Sequence, residues 1–129
     1  MTPSTALPSP TGSAPGGVDE LSAVELLETA SQAVRDRRLA EVAEMRLAAQ
    51  WAALHGHPKQ PRDPMVTPGG AGTPAVRELA LPELAMARGT HYATTKALLA
   101  DTLDLQHRWP RTWARTEAGE CEPWLARKA

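Results

Sequence analysis

The clearest pattern in the sequence is a helical spacing of apolar residues between Val18 and His55. Apolar side chains recur at steps of three and four residues from Leu21 to Val34, and again from Leu39 to Trp51. This spacing places them on one face of an α-helix. No proline interrupts the segment, but a polar stretch around Arg37 separates the two runs. The pattern predicts either one long helix or two helices with a joint near Arg37.

The beginning of this segment carries capping signals and follows a tail of different composition. Asp19 and Ser22 are both candidate N-cap residues, and Glu25 follows Ser22 at the spacing of a capping box. Residues 1–17 are built almost entirely from Pro, Ser, Thr, Gly and Ala. Such a segment buries too little apolar surface to offset the entropy of ordering it. We therefore expect a disordered tail over residues 1–17.

Prolines and glycines interrupt the helical pattern between residues 56 and 72. Four prolines fall in this stretch, and it ends in the glycine-rich run PGGAG. Because these residues disfavour regular structure, the sequence predicts a flexible loop over 56–72. Thr73 and Pro74 then match an N-cap followed by proline at the first helical position. They predict a short helix that reaches about Ala80.

Two predicted helices flank a tight turn at Gly89. The first follows Pro82, and Gly89 can adopt the left-handed conformation that ends a helix. The second begins at Thr90 or His91 and extends to about Arg108, because a proline two residues later disfavours a further helical residue.

The remaining residues predict two shorter helices and no sheet. One spans Pro110 to Ala118 and is closed by Gly119, and the other begins at Pro123. No stretch alternates between apolar and polar residues over the length of a strand. Ala and Leu, both strong helix formers, supply much of the apolar content. We predict an all-α fold, a small multi-helix assembly in which residues 18–129 form a partial helical domain.

Composition excludes several classes of protein. The formal net charge of −1 lacks the large positive excess of a protein that binds nucleic acid over its whole surface. Cys121 is the only cysteine, so a disulfide within the chain and a multi-cysteine metal site are both excluded. No apolar run is long enough for a membrane span or a signal peptide. A cytoplasmic protein with no membrane partner is expected.

Several motifs lie in one order along the chain. The helix that ends RLAEVAEMRLAAQWAALHG is followed by GGxGTP, ELAxAxG, LLADxLDLxHRxPRxWA and GExxxWxAR. In these motifs the sequence resembles the actinobacterial family that carries domain of unknown function 222, whose members place this helical domain ahead of a C-terminal HNH endonuclease domain. His91 departs from the Ser or Thr usual in the family, and Cys121 from an aliphatic residue. The chain also ends where members continue, as a truncated copy would.

The resemblance implies a helical module without a nuclease site of its own. An HNH nuclease needs a histidine base, an asparagine that orients it, and ligands for a divalent metal. This chain contains no asparagine, and no carboxylate cluster accompanies its four histidines. His55 and His57 form an H-x-H pair, which we interpret as a helix end rather than a metal site. We expect no catalytic residue, no metal, no cofactor and no enzyme activity.

The first candidate for nucleic-acid contact lies around Gly89. Ala85 and Gly89 have the four-residue step of helix-turn-helix units, in which a small residue permits close crossing of two helices. The second helix would then present Tyr92, Thr94, Thr95 and Lys96 to a groove. The alternative is an ordinary helical hairpin packed in a core.

The second candidate is the stretch from residue 107 to 115, where tryptophans and arginines alternate. Tryptophan stacking beside arginine suits a single strand or a phosphate backbone. A four-residue tryptophan step is equally typical of a buried helix face, and acidic residues follow closely. With the lysine above, the candidate contact residues are Lys96, Arg108, Trp109, Arg111, Trp113 and Arg115.

Three functions remain open on the sequence. The family association and the arginines favour a DNA-associated helical module that positions a nuclease. The long apolar stripe between Val18 and His55 favours an interaction element that pairs with itself or with a downstream nuclease polypeptide. The third alternative is a truncated remnant with no activity.

Overall fold

The computed structural model describes residues 15–128, which fold mainly as helices, and the predicted all-α class is confirmed. The chain divides into two compact units between Asp36 and Arg37, and helix α1 belongs to both. None of the helices in the described part is both long enough and apolar enough to cross a membrane. The described helices are α1 (Ala23–Leu54), α2 (Leu81–Arg88), α3 (Tyr92–Arg108), α4 (Pro110–Glu117) and α5 (Pro123–Ala126).

The first unit contains the capped beginning of α1. The backbone N–H of Ser22 donates to Glu25 Oε1 at 2.8 Å, and the backbone N–H of Glu25 donates to Ser22 Oγ at 3.2 Å. This reciprocal pair is a capping box, so Ser22 and not Asp19 fills the predicted role. α1 then continues without interruption to Leu54, so the segment forms one long helix and not two helices with a joint near Arg37. The last three residues of the predicted tail belong to a 3₁₀ helix, Pro15–Glu20, and the rest lie outside the described residues.

The second unit packs one face of α1 against the shorter helices. The buried side chains of α1 follow one another at steps of three and four residues, so they lie on a single face. Leu39 and Trp51, the two ends of the predicted apolar run, are exposed and half-buried, respectively. Every other helix of this unit adds at least one buried apolar residue. The largest contributions come from Val42, Met45, Ala48 and Ala52 of α1, Leu81 of α2, Leu98, Leu99, Leu103 and Leu105 of α3, and Trp113 of α4.

The prediction of no sheet, and that of a short helix after Thr73, are both wrong. Residues Met65–Val66 (β1) and Val76–Arg77 (β2) form a two-stranded antiparallel ladder, followed by a 3₁₀ helix, Glu78–Ala80. The Thr73 hydroxyl donates to the carbonyl of Gly70 at 2.7 Å instead of capping a helix. The extended backbone lets Val76 reach the core, where its side chain is fully buried. This tertiary packing overrides the local helical signal.

The predicted loop over residues 56–72 is largely irregular, but hydrogen bonds tie it to the helices. The backbone N–H of Gly70 donates to Asp104 Oδ1 at 2.7 Å. Asp63 accepts from Arg77 Nε at 2.7 Å, and from the backbone N–H of Lys59 at the same distance. The hydrogen bond from Arg77 is the main reason why the pKa of Asp63 lies below its ordinary value. Specific polar contacts therefore define the path of this segment.

The predicted turn between α2 and α3 is confirmed. Gly89 has φ 67°, and its N–H donates to the carbonyl of Met86 at 3.1 Å. His91 is the N-cap residue of α3 but makes no side-chain capping hydrogen bond. The Thr90 hydroxyl does not cap the helix either, because it pairs with the Thr95 hydroxyl at 2.8 Å. The predicted ends of α3 and α4 also agree with the structure.

Candidate nucleic-acid interface

Helix α4 presents two arginines on its exposed side. Pro110 occupies its first turn, where the missing N–H of proline costs no hydrogen bond. Gly119, with φ 76°, follows its end. Arg111 and Arg115 lie four residues apart, so they share one side of the helix, and both are exposed. Trp113 faces the opposite way into the core.

No carboxylate pairs with Arg111 or Arg115 among residues 15–128. Both side chains line an open groove between α4 and α5, together with Cys121 and Leu125. The Cys121 thiol lies 3.4 Å from the Thr116 hydroxyl. The lining of the groove therefore combines two cationic side chains with a thiol and an aliphatic side chain.

Three acidic residues, Glu117, Glu120 and Glu122, lie at or just after the end of α4. Glu122 accepts from Arg38 Nε at 2.8 Å and from Arg37 Nη2 at 2.9 Å. These two hydrogen bonds are the main reason why the pKa of Glu122 lies below its ordinary value. Glu117 lies 3.7 Å from Arg46. Two of the three nearby carboxylates are thus engaged away from the α4 arginines.

Arg108 and Trp109 form a separate pair at the junction of α3 and α4. The Arg108 guanidinium carbon lies 4.6 Å from the centre of the Trp109 ring, within the range of a cation–π contact. Arg108 Nη1 is also 3.3 Å from Asp104 Oδ1, the same oxygen that receives the N–H of Gly70. Its charge is therefore partly compensated. Trp109 itself remains exposed.

The structure does not bring the six candidate contact residues together. Trp113 is only 8% exposed and packs in the core, so the alternative of a buried helix face holds for this residue. Lys96 lies twelve residues from Arg108 on α3, or about 18 Å along the helix axis. Its ammonium group lies 5.9 Å from the Tyr92 ring. Arg108, Trp109, Arg111 and Arg115 remain as one contiguous stretch.

The proposed presentation of the helix α3 N-terminus to a groove also fails in part. Thr95 is fully buried, and its hydroxyl accepts from Arg88 Nη1 at 2.8 Å. It therefore stabilises the α2–α3 turn rather than facing outward. Thr94 is exposed and Lys96 is half-buried. The structure favours the hairpin interpretation for Thr95.

Sequence reasoning missed one exposed aromatic–basic pair, formed by Trp124 of α5 and Lys128 in the turn that follows it. Trp124 is 50% exposed, and the Lys128 ammonium lies 5.2 Å from the centre of its ring. The two residues are four apart, a spacing that brings side chains together on a helix. The four-residue spacing is visible in the sequence, but α5 has only four residues and therefore shows no helical periodicity.

The H-x-H pair lies at the end of α1, as predicted. His55 Nδ1 is 2.8 Å from the carbonyl of Trp51, and the two rings are 4.1 Å apart. His57 is exposed in the following turn. Across residues 15–128, no three His, Cys, Asp or Glu side chains converge into a group that could hold a metal ion.

Comparison of the sequence with protein-family models and curated proteins, and of the fold with solved structures, gives no match. The resemblance described above therefore remains a prediction.

Proposed function

We propose that this chain is a non-catalytic helical module of the HNH-endonuclease-associated family that it resembles, and that it associates weakly with DNA through the exposed side of α4. The observation that carries the proposal is the distribution of charge around that helix. Arg111 and Arg115 have no carboxylate partner among the described residues, whereas Glu117 and Glu122 are engaged by arginines of α1. A phosphate can therefore approach the α4 arginines without displacing an existing ion pair.

The chemistry of these side chains suits a nucleic-acid backbone. A guanidinium can donate two parallel hydrogen bonds to one phosphate. The Cβ atoms of residues four apart on a helix lie about 5–6 Å from each other, so Arg111 and Arg115 can reach phosphates of one strand. Such contacts carry no sequence information. We expect binding that is weak, independent of base sequence and sensitive to salt.

Trp109 adds a surface for unpaired bases. Its exposed indole lies directly before the α4 arginines, and aromatic stacking contributes about 1–3 kcal/mol per base in single-strand binding. We therefore expect a single strand to bind at least as tightly as a duplex. The variant Trp109→Ala should remove this preference and leave duplex binding nearly unchanged, which fluorescence anisotropy can measure.

The direct test is a titration of a fluorescent duplex and a fluorescent single strand with the purified protein. The variant Arg111→Ala/Arg115→Ala should lose most of the binding at low salt. The matched control is Arg35→Ala/Arg62→Ala, which removes the same charge from two exposed positions elsewhere. Equal losses in both variants would mean that net charge alone sets the affinity. Absence of binding by a folded wild-type sample would also refute the proposal.

A further inference from the structure

The first half of α1 exposes an apolar stripe. No side chain from Ser22 to Asp36 is buried. On one side of the helix, Val24 is 65% exposed, Leu27 is 72% exposed and Val34 is 38% exposed. Large aliphatic side chains grouped on one side of a helix form an apolar patch, and such patches mark interaction sites more often than single exposed residues do. We expect another protein surface to cover these apolar side chains.

The spacing of this stripe is that of a helix-pairing seam. Val24, Leu27, Ser31 and Val34 follow steps of three, four and three residues, which match the a and d positions of a heptad. We call these four residues the α1 stripe. Ser31 is its one polar member, and a polar residue at such a position favours a defined register at some cost in stability. The stripe spans about 15 Å of helix.

The charges along the helix indicate what covers the stripe. From residue 18 to 28 the sequence contains four acidic residues and no basic one. From residue 29 to 38 it contains three arginines and one aspartate, but Arg37 and Arg38 already pair with Glu122, so Arg35 is the basic side chain of this half that has no carboxylate partner among the described residues. A second copy in the opposite direction would set the acidic end of each helix beside Arg35 of the other. A parallel arrangement would instead bring like charges together.

We propose that two copies of this chain pair through the α1 stripe as antiparallel helices. Val24 of one copy lies against Val34 of the other, and Leu27 lies near Ser31, because the midpoint of the stripe falls at residue 29. The opposed helix dipoles favour the same direction. The seam is short, well below the size of a standard protein interface, so the dimer is weak and depends on concentration. This pairing is independent of the α4 arginines and of DNA binding.

Single cysteines test the direction of pairing in the full-length chain. The native thiol is first removed by Cys121→Ser, and each variant is equilibrated in a glutathione buffer so that disulfides report proximity at equilibrium. Ser31→Cys should form a disulfide-linked dimer after a small local shift, because residue 31 lies about 6 Å from its own copy along the helix axis and the two Cα atoms then stand near the roughly 7 Å limit for a disulfide. Val24→Cys should not link to itself, since that separation is about 15 Å. A mixture of Val24→Cys and Val34→Cys should link.

Each outcome of the cross-linking decides for or against the pairing. The pattern above supports it. Val24→Cys linking to itself as readily as Ser31→Cys would indicate parallel helices and overturn the proposal. Equal linking by Thr29→Cys, which lies on the opposite side of the helix, would indicate random collision and also overturn it. The absence of a disulfide-linked dimer in every variant would also overturn the proposal.

Sedimentation over a concentration series gives an independent measurement. The wild-type protein should shift from monomer toward dimer as concentration rises, and Leu27→Lys should remain monomeric. Leu47→Lys is the matched control, because Leu47 is 69% exposed on the same helix but outside the α1 stripe. It should dimerise as the wild type does. A wild-type protein that stays monomeric at every concentration, or equal effects of both lysine variants, would contradict the pairing.

Discussion

The burial of Val76 is the feature of the fold that sequence reasoning missed, and Val76→Ala tests it. The Val76 side chain is fully buried, and the residue pairs with Val66 across the two-stranded ladder. Alanine keeps the backbone conformation available but removes two methyl groups. The substitution therefore measures how much the irregular segment before α2 contributes to the core of the second unit.

The expected cost follows from transfer and cavity terms. Each buried methyl contributes about 0.8 kcal/mol, so two contribute roughly 1.6 kcal/mol. An unfilled cavity adds about 24 cal/mol per Å³, or about 1 kcal/mol for a space of roughly 40 Å³. We expect the free energy of unfolding to fall by about 2–3 kcal/mol. A domain of this size loses about 4–8 °C of melting temperature for each kcal/mol, so the melting temperature should fall by about 10–20 °C.

Urea unfolding followed by circular dichroism measures this change. The matched control is Leu79→Ala, which lies three residues later and is 62% exposed. It should change the free energy of unfolding by less than about 0.5 kcal/mol. The slope of the free energy of unfolding against urea concentration should be the same for both variants if both unfold in two states. Equal effects of the two substitutions would refute the packing of Val76 against the helices.

Three further predictions concern local contacts. Gly70→Ala places a Cβ against the Arg108 guanidinium, so this side chain should move off the Trp109 ring and change the tryptophan fluorescence. Glu122→Gln should destabilise the protein at neutral pH. Because the pKa of Glu122 is lowered by folding, the difference from wild type should shrink as pH falls below its ordinary value of 4.5, which thermal melts over a pH series can follow. Ser22→Ala should cost about 1 kcal/mol at the start of α1 and accelerate amide exchange there.

Local signals were enough to predict most of the helices. The capping box at Ser22 and Glu25 satisfies backbone groups within three residues, so its sequence signature does not depend on the rest of the fold. Gly89 and Pro110 act in the same way, because each fixes the backbone at its own position. These residues determine where helices begin and end, and the structure agrees with them.

Contacts between distant residues account for what the sequence did not reveal. Thr73 and Pro74 have the local signature of a helix start, but the burial of Val76 favours an extended backbone. The glycine-rich run after residue 68 looked flexible, yet Asp104 accepts the N–H of Gly70 from a position 34 residues away. No local window contains both partners of such a contact.

The sequence predicted where along the chain the candidate interface lies, but not which of its side chains are exposed. Sequence identified the arginines and tryptophans together, but the helix turns Trp113 inward and leaves Arg111 and Arg115 outward. That distinction depends on which face of α4 meets the core. The pairing of Glu122 with arginines more than 80 residues away likewise requires the fold. Acidic residues follow the arginines closely in the sequence, and two of the three, Glu117 and Glu122, pair with arginines of α1 in the structure.

The salt dependence of DNA binding tests the proposed function most directly. Each phosphate contact contributes about −0.9 to the slope of log affinity against log salt concentration, so Arg111 and Arg115 together should contribute about −1.8. The slope should be at least this steep for the wild type and shallower by about 1.8 for Arg111→Ala/Arg115→Ala. An identical slope for both proteins would contradict the assignment of phosphate contacts to α4.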